Sequence, residues 1–190
     1  MEVFVMDQAF KGNNFTEKPL QKGSYEECTF DHCNFSESYM SGLVFMECSF
    51  NNCNFSMAHL RNASFREVVF TDCKLMGVGF DEVDDFLFQA TFLGCQLHMS
   101  SFQRKKLKKA RFTNCNLEGV DFSGADLTEA AFDKCNLKNA VFDGTLLEKA
   151  DFSTASNIAL DPERNTLRNA VFSLQGAIGL LSKYQIKIEG

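Results

Sequence analysis

The chain of 190 residues has no tryptophan and only 2 prolines. It lacks any apolar run approaching about 18 residues, which excludes a membrane-spanning helix. Its first residues include Glu2 and Asp7 and lack a basic stretch ahead of an apolar one, so no secretory leader is expected. Positive charge is in short supply. Lys and Arg number 19 against 25 Asp and Glu, a net charge of −6. That argues against direct nucleic-acid binding, because phosphate contacts require a basic surface. Disorder is excluded too, since 45% of the residues are hydrophobic. The length fits one domain with room for a small appendage. Eight cysteines without a leader point to free thiols and the cytoplasm rather than to a disulfide framework.

What the chain does have is 21 phenylalanines, and a bias of that size is first tested as a repeat. Phe occupies positions 10, 15, 30, 35, 45, 50, 55, 65, 70 and 80, a period of five. Leu20, Tyr25, Met40, Leu60 and Leu75 fill the gaps. The grid slips by two residues and resumes at Phe92, with Phe and Leu alternating every five residues to Phe152. Eighteen of the 21 Phe lie on it; Phe4, Phe86 and Phe88 do not. Two residues before most of these centres stands a small residue, and all eight Cys take that position. The residue between is mostly polar, as at Asn34, Asn54, Asp121 and Asp151.

A period of five fits neither an amphipathic helix nor a flat alternating strand. A small and a large apolar residue flanking a polar one can both point inward from an extended stretch, and the remaining two residues then turn the chain. Four such corners close a square coil of twenty residues. Cys33, Cys53 and Cys73 are twenty apart, as are Cys95, Cys115 and Cys135, and the step between the two sets is twenty-two. The pattern therefore predicts an all-β solenoid of about seven stacked coils, with the nearest-neighbour energetics of repeat proteins.

At this point the sequence resembles the pentapeptide-repeat family, whose motif is a small residue, Asp or Asn, Leu or Phe, and two variable residues. Ala125-Asp126-Leu127-Thr128-Glu129 and Cys135-Asn136-Leu137-Lys138-Asn139 match it, and the match runs from about Asp7 to Phe152. The resemblance implies a right-handed quadrilateral β-helix. Within the family the chain looks most like the Qnr quinolone-resistance branch and its microcin-immunity relatives, in its length, its Asn14–Lys18 run and its C-terminal ending. That resemblance implies a non-catalytic homodimer, joined through the C-terminus. It would bind DNA gyrase or topoisomerase IV as an acidic, DNA-shaped rod and protect against quinolones or a toxin. A departure is that the only clear interruption is two residues near Val83-Asp84, whereas many Qnr proteins carry two projecting loops. A scaffold for some other partner is the alternative.

No cofactor or metal is expected. The Cys28/Cys33 and Cys48/Cys53 pairs, near His32 and His59, could suggest a metal site, but each Cys takes the inward place that Ala takes elsewhere. His32, His59 and His98 should face solvent. Gly77-Val78-Gly79 has no helix after it to make a phosphate loop, and no catalytic constellation is visible.

The break itself is informative. Asp81, Glu82, Asp84 and Asp85 precede Phe86-Leu87-Phe88, and Arg104-Lys105-Lys106-Leu107-Lys108-Lys109 follows one coil later. If Leu87 is a centre, it stacks directly against Leu107, and Phe86 and Phe88 project outward. With Lys106 and Lys108 they would form a partner-binding patch. The competing reading is an ion-pair ladder at offsets of twenty: Asp84 with Arg104, Asp85 with Lys105, Lys106 with Asp126, Lys109 with Glu129. Lys105 falls on an inward position, so Asp85 is expected to face it.

The repeat domain is placed at 1–172 and the C-terminal segment at 173–190. There Ser173 can cap a helix whose Leu174, Ala177, Ile178 and Leu181 share one face. That face would plug the solenoid or join a second copy. Ile186-Lys187-Ile188 would form a short strand edge. The dimer candidates are Leu174, Ile178, Leu181, Ile186 and Ile188.

Overall fold

The computed structural model describes residues 2–189. They form a right-handed quadrilateral β-helix of about eight turns, closed by one short helix. Four inward columns define its faces. In chain order the fourth begins first, at Val5 beside Tyr25, followed by the first at Phe10, the second at Phe15 and the third at Leu20. Parallel pairing fixes the twenty-residue register directly: Phe10 lies beside Phe30, Phe30 beside Phe50 and Phe50 beside Phe70. Phe70 then pairs with Phe92, which absorbs the two-residue slip. The first face carries nine strands, from Ala9–Lys11 to Val171–Phe172, and so spans one coil more than the sequence count of seven. Eight steps of about 4.8 Å make a rod roughly 38 Å long.

The core is a set of stacked rings. From Phe10 to Phe172 the first face stacks nine rings at centroid separations of 4.7–5.4 Å, none tilted by more than 18° from the next. Rings on neighbouring faces meet edge to face, as Phe50 and Phe55 do at 5.1 Å. Seven of the nine first-face rings, Phe30 to Phe152, are fully buried. Each contributes about 1.5–3 kcal/mol by leaving water. The outward residue of each five bonds instead to the coil beside it. Asn34 donates to Asn14 at 3.3 Å, and Asn136 to Asn116 at 3.2 Å.

The corners come in two kinds, a distinction the sequence pattern does not reveal. In tight corners the small residue donates its N–H to the preceding centre, as Ala58 does to Phe55 O at 2.9 Å. All eight Cys mark wide corners, where no such bond forms. There a thiol from the next coil donates to the centre's carbonyl: Cys53 to Phe30 O at 3.4 Å and Cys73 to Phe50 O at 3.2 Å. Cysteine is therefore a donor as well as a small filler. All eight thiols are buried and free. Burial pushes the Cys48 thiol up to about 12.

Turning so sharply places 22 non-glycine residues at positive φ, mostly at the last position of a five. Each such residue costs on the order of 1 kcal/mol. The rung bonds offset that cost: Glu27 donates to Met46 O at 3.0 Å and Glu47 to Arg66 O at 2.9 Å.

The last coil is irregular where the motif decays. Asn165 holds it in place of the missing repeat. Its amide donates to Phe142 O and Asp161 O, while its oxygen accepts from Thr145 N at 2.9 Å. Ser173 caps the helix Leu174–Gly179 by accepting from Gly176 N at 3.0 Å. That helix crosses the last coil so closely that a Cβ at Gly179 would lie 1.9 Å from Ile158 O.

Candidate interaction site

The excursion at the break follows from counting. The step from the inward Val83 to the inward Ala90 is seven residues, where a regular repeat uses five. Asp85 takes the centre's place in sequence but turns outward, and Phe88 N–H closes a corner on Asp85 O at 3.4 Å. Leu87 occupies that corner at φ 59° and is 63% exposed. It is therefore not the centre expected beneath Leu107. Phe86 projects outward as expected. Phe88 does not: it is half-buried, packed against the core 6.4 Å from the Phe80 ring, and fills the place that Asp85 vacates.

Lys105 closes the gap from above. Its side chain is 1% exposed, yet its ammonium lies 2.8 Å from Asp85 Oδ1, donates to Val83 O and sits 4.8 Å from the Phe88 ring centroid. A carboxylate, a carbonyl and a ring face together satisfy the buried cation. The expected Asp85–Lys105 pair is present. Lys109 reaches Glu129 at 3.8 Å, but Asp126 is met by Lys108 at 3.5 Å rather than by Lys106. Asp84 caps Phe86 N instead of pairing with Arg104. Ser64, an outward position elsewhere, is 2% exposed beneath the excursion.

Beside the excursion the fourth face loses continuity. Its four-stranded sheet ends at Ser64–Arg66, and the next bridge on that face joins Lys106 to Asp126. The result is a groove of about 700 Å³ at the corner. Arg66 and Glu67 form one lip, Leu87 and Phe88 the back, and Lys106, Lys108, Lys109 and Arg111 the other lip. Arg66 stacks 5.2 Å from the Phe86 ring. Its Nη1 meets only Met46 Sδ at 3.7 Å, and its buried Nε has no acceptor. Phe86, Phe88, Lys106 and Lys108 thus lie close together, with Phe88 as a packed wall rather than a free anchor. Arg66 and Arg111 belong with them; only the twenty-residue register, applied across the break, could have indicated this.

At the C-terminal end, Gly176, Gly179 and Leu180 face the last coil, and not the expected Leu174–Leu181 stripe. Leu174 is 86% exposed, and Ile178, Leu181, Ile186 and Ile188 are exposed beside it. Residues 186–188 form no strand; the expected edge is an unpaired segment. Lys183, held between Asp161 at 2.7 Å and Glu163 at 2.8 Å, pins this tail, and those hydrogen bonds raise its pKa.

Charge divides sharply along the rod. Residues 1–82 hold 12 carboxylates and 6 Lys or Arg, whereas residues 83–190 hold 13 of each. Among the described residues only Glu2 and Asp31 of the first set enter ion pairs, against eight carboxylates of the second. No cluster of three metal-ligating side chains occurs among the described residues. His98 differs from expectation, being half-buried with Nδ1 lacking a partner. Among the described residues no helix is long and apolar enough to cross a membrane.

Two sequence profiles match the chain. One, a pentapeptide repeat region, covers residues 64–142 and 85–172; the other, pentapeptide repeats in 8 copies, covers 28–66 and 44–81. Among solved structures the chain is similar to full-length QnrB1, a plasmid-mediated fluoroquinolone resistance protein. Identity is 20%, over 95% of this chain and 99% of that one, with a TM-score of 0.53. It is also similar to HetL, a pentapeptide repeat protein involved in heterocyst differentiation regulation from the cyanobacterium Nostoc. Here identity is 16%, coverage 90% and 88%, and the TM-score 0.52. At such identities the likeness is one of fold. No curated protein sequence matches the chain.

Proposed function

The chain belongs to the pentapeptide-repeat family, and from that premise we propose that it is a non-catalytic, cytoplasmic binding rod whose partner is a type II DNA topoisomerase, either gyrase or topoisomerase IV. The observation that carries this reading is the first half of the rod, where 12 carboxylates stand against 6 cations and few are paired. Glu27, Glu47 and Glu67 occupy successive corners of one edge, each at positive φ and about 4.8 Å from the next. A straight rod with uncompensated negative charge has the features that a DNA-binding saddle accepts. The fold that the chain shares with QnrB1, a fluoroquinolone resistance protein, supports the same reading.

The exposed apolar patch of Leu174, Ile178, Leu181, Ile186 and Ile188 is the proposed contact with a second copy, since a two-fold pairing is the commonest symmetric way to cover such a patch. Two rods joined there would span roughly 75 Å. Truncation after Phe172 should give a monomer by sedimentation.

The test is gyrase supercoiling, with and without a fluoroquinolone, titrated with the protein and with its Glu27→Lys/Glu47→Lys/Glu67→Lys variant. The reading requires that the protein alter supercoiling or drug-stabilised cleavage, and that the variant lose the effect. A second reading, a scaffold for another partner, is favoured by the basic groove at mid-rod, whose charge is opposite to that of a DNA mimic. It takes over if gyrase and topoisomerase IV are both unaffected.

A further inference from the structure

We propose that the mid-rod groove is a second docking site, and that its ligand is an acidic segment of a partner polypeptide carrying an apolar residue between its carboxylates. Glu47 and Glu67 border both this groove and the acidic edge, but the groove's cations are its own, so docking here does not depend on what that edge engages.

The charge is the first argument. Five cations line the groove against Glu47 and Glu67, on a chain whose net charge is −6. Lys108 and Lys109 already have Asp126 and Glu129. Arg66, Lys106 and Arg111 have no carboxylate partner among the described residues. Elsewhere in this half of the rod, Lys138 is matched to Glu118 at 2.9 Å and Arg164 to Asp143 at 2.6 Å, while Arg104, Lys134 and Arg168 stand outside the groove without such a pair among the described residues. Arg66, Lys106 and Arg111 are thus three unmatched cations that line one groove, where the ladder is interrupted.

The second argument is the floor. Leu87 is 63% exposed at a corner where the repeat mostly places polar residues or glycine, Met57 and Met99 excepted, and Phe88 forms the wall beside it. An apolar side chain seated there would bury both, while flanking carboxylates would reach Lys106 and Arg111 on either side of Leu107 and Ala110. The two glutamates decide between polypeptide and nucleic acid. A phosphate backbone would bring charge past Glu47 and Glu67 without interruption, whereas a peptide can present a neutral or basic residue to them.

The probe is a fluorescein-labelled peptide of alternating glutamate and leucine, followed by anisotropy with the full chain. Its lysine counterpart and a labelled oligothymidine serve as comparisons. The acidic peptide should bind, and added salt should weaken it. Lys106→Gln/Arg111→Gln should lower the affinity by about fivefold or more, as loss of two exposed charge contacts implies. Lys134→Gln, an exposed cation outside the groove, should leave it unchanged. Leu87→Ser should weaken binding without altering its salt dependence. Both groove cations are exposed, so the variants should melt as the parent does. Absence of acidic-peptide binding, equal binding by the double variant, or tighter binding of oligothymidine than of the peptide overturns the proposal.

Discussion

The two halves of the rod build the same square from different residues. Below the break three faces stack rings: the first, the second through Phe15, Phe35 and Phe55, and the fourth through Tyr25, Phe45 and Phe65. Above it the second and fourth faces change to leucine, and a new ring column runs up the third through Phe80, Phe102, Phe122 and Phe142. The corner between the fourth and first faces changes as well. It is wide at Cys28 and Cys48 and tight at Ala110, Ala130 and Ala150, each of which donates to the preceding leucine. The surface follows suit, acidic below and charge-matched above. The comparison teaches that at this corner inward volume and corner type change together, leucine and alanine going with the tight form and a ring and a thiol with the wide one. Elsewhere a ring alone does not widen a corner, as Ala58 after Phe55 and Ala125 after Phe122 show, whereas every thiol stands at a wide one. The excursion at residues 84–89 is where one solution hands over to the other.

The largest effect should come from breaking the junction. Asp85→Ala leaves the Lys105 ammonium buried with only a carbonyl and a ring, and should cost about 3 kcal/mol in chemical denaturation. The double change with Lys105→Ala should recover part of that loss. Strict additivity in the cycle would refute the pairing. Gly179→Ala should follow at about 2 kcal/mol, because the added methyl must displace the helix from Ile158 O. Hydrogen exchange should then rise over residues 174–184 while the first half of the rod stays protected.

Replacing Cys95 probes the wide corner. Cys95→Ala removes the donor to Phe70 O at 3.4 Å and should cost about 1 kcal/mol. Cys95→Thr should cost less, because Thr145 already makes the equivalent bond to Phe122 O at 3.0 Å. If both variants melt alike, the thiol is no more than a filler. The smallest effect concerns acid. Ser153 holds the Asp151 carboxyl below the usual carboxylate range. Burial pushes Asp126 up, but Thr128 and Lys108 outweigh it and leave its carboxyl low. Groups depressed in the folded state stabilise it above their unfolded pKa and lose that contribution as pH falls through the folded value. Exchange in the coils carrying Asp126 and Asp151 should therefore quicken below about pH 4. If those coils instead gain protection in acid, these hydrogen bonds contribute nothing.

Much of this was legible beforehand, for a physical reason. A solenoid repeats one local problem, so the five-residue grid exposes the core, the twenty-residue step exposes the register, and an inward lysine announces its own partner. Asp85 opposite Lys105 came directly from the offset. The errors collect where repetition fails. Leu87 fits the grid by spacing, yet the chain turned at Asp85, because a carboxylate that must meet Lys105 cannot also serve as an apolar centre. Of the two roles the large residues of the helix suggest, plugging the last coil is not theirs. The contact with the last coil is made by Gly176 and Gly179, whose lack of a side chain gives no periodic signal. The groove was half visible: its upper lip lies in one charge run, but Arg66 is forty residues from Lys106 and joins it only through the stacking.

The twenty-residue register also sets a rule for change in length. Removing one whole coil, for instance from Phe112 to Ala131, would shorten the rod by about 4.8 Å and leave every column above it on the same face. Removing ten would set second-face residues over fourth-face ones and turn all later surfaces by half a revolution. The molecule can thus grow or shrink only in whole rungs, unless the remainder is pushed out at a corner. The 22-residue coil took that second route, and it left behind the one place on the shaft where a surface is not dictated by its neighbours.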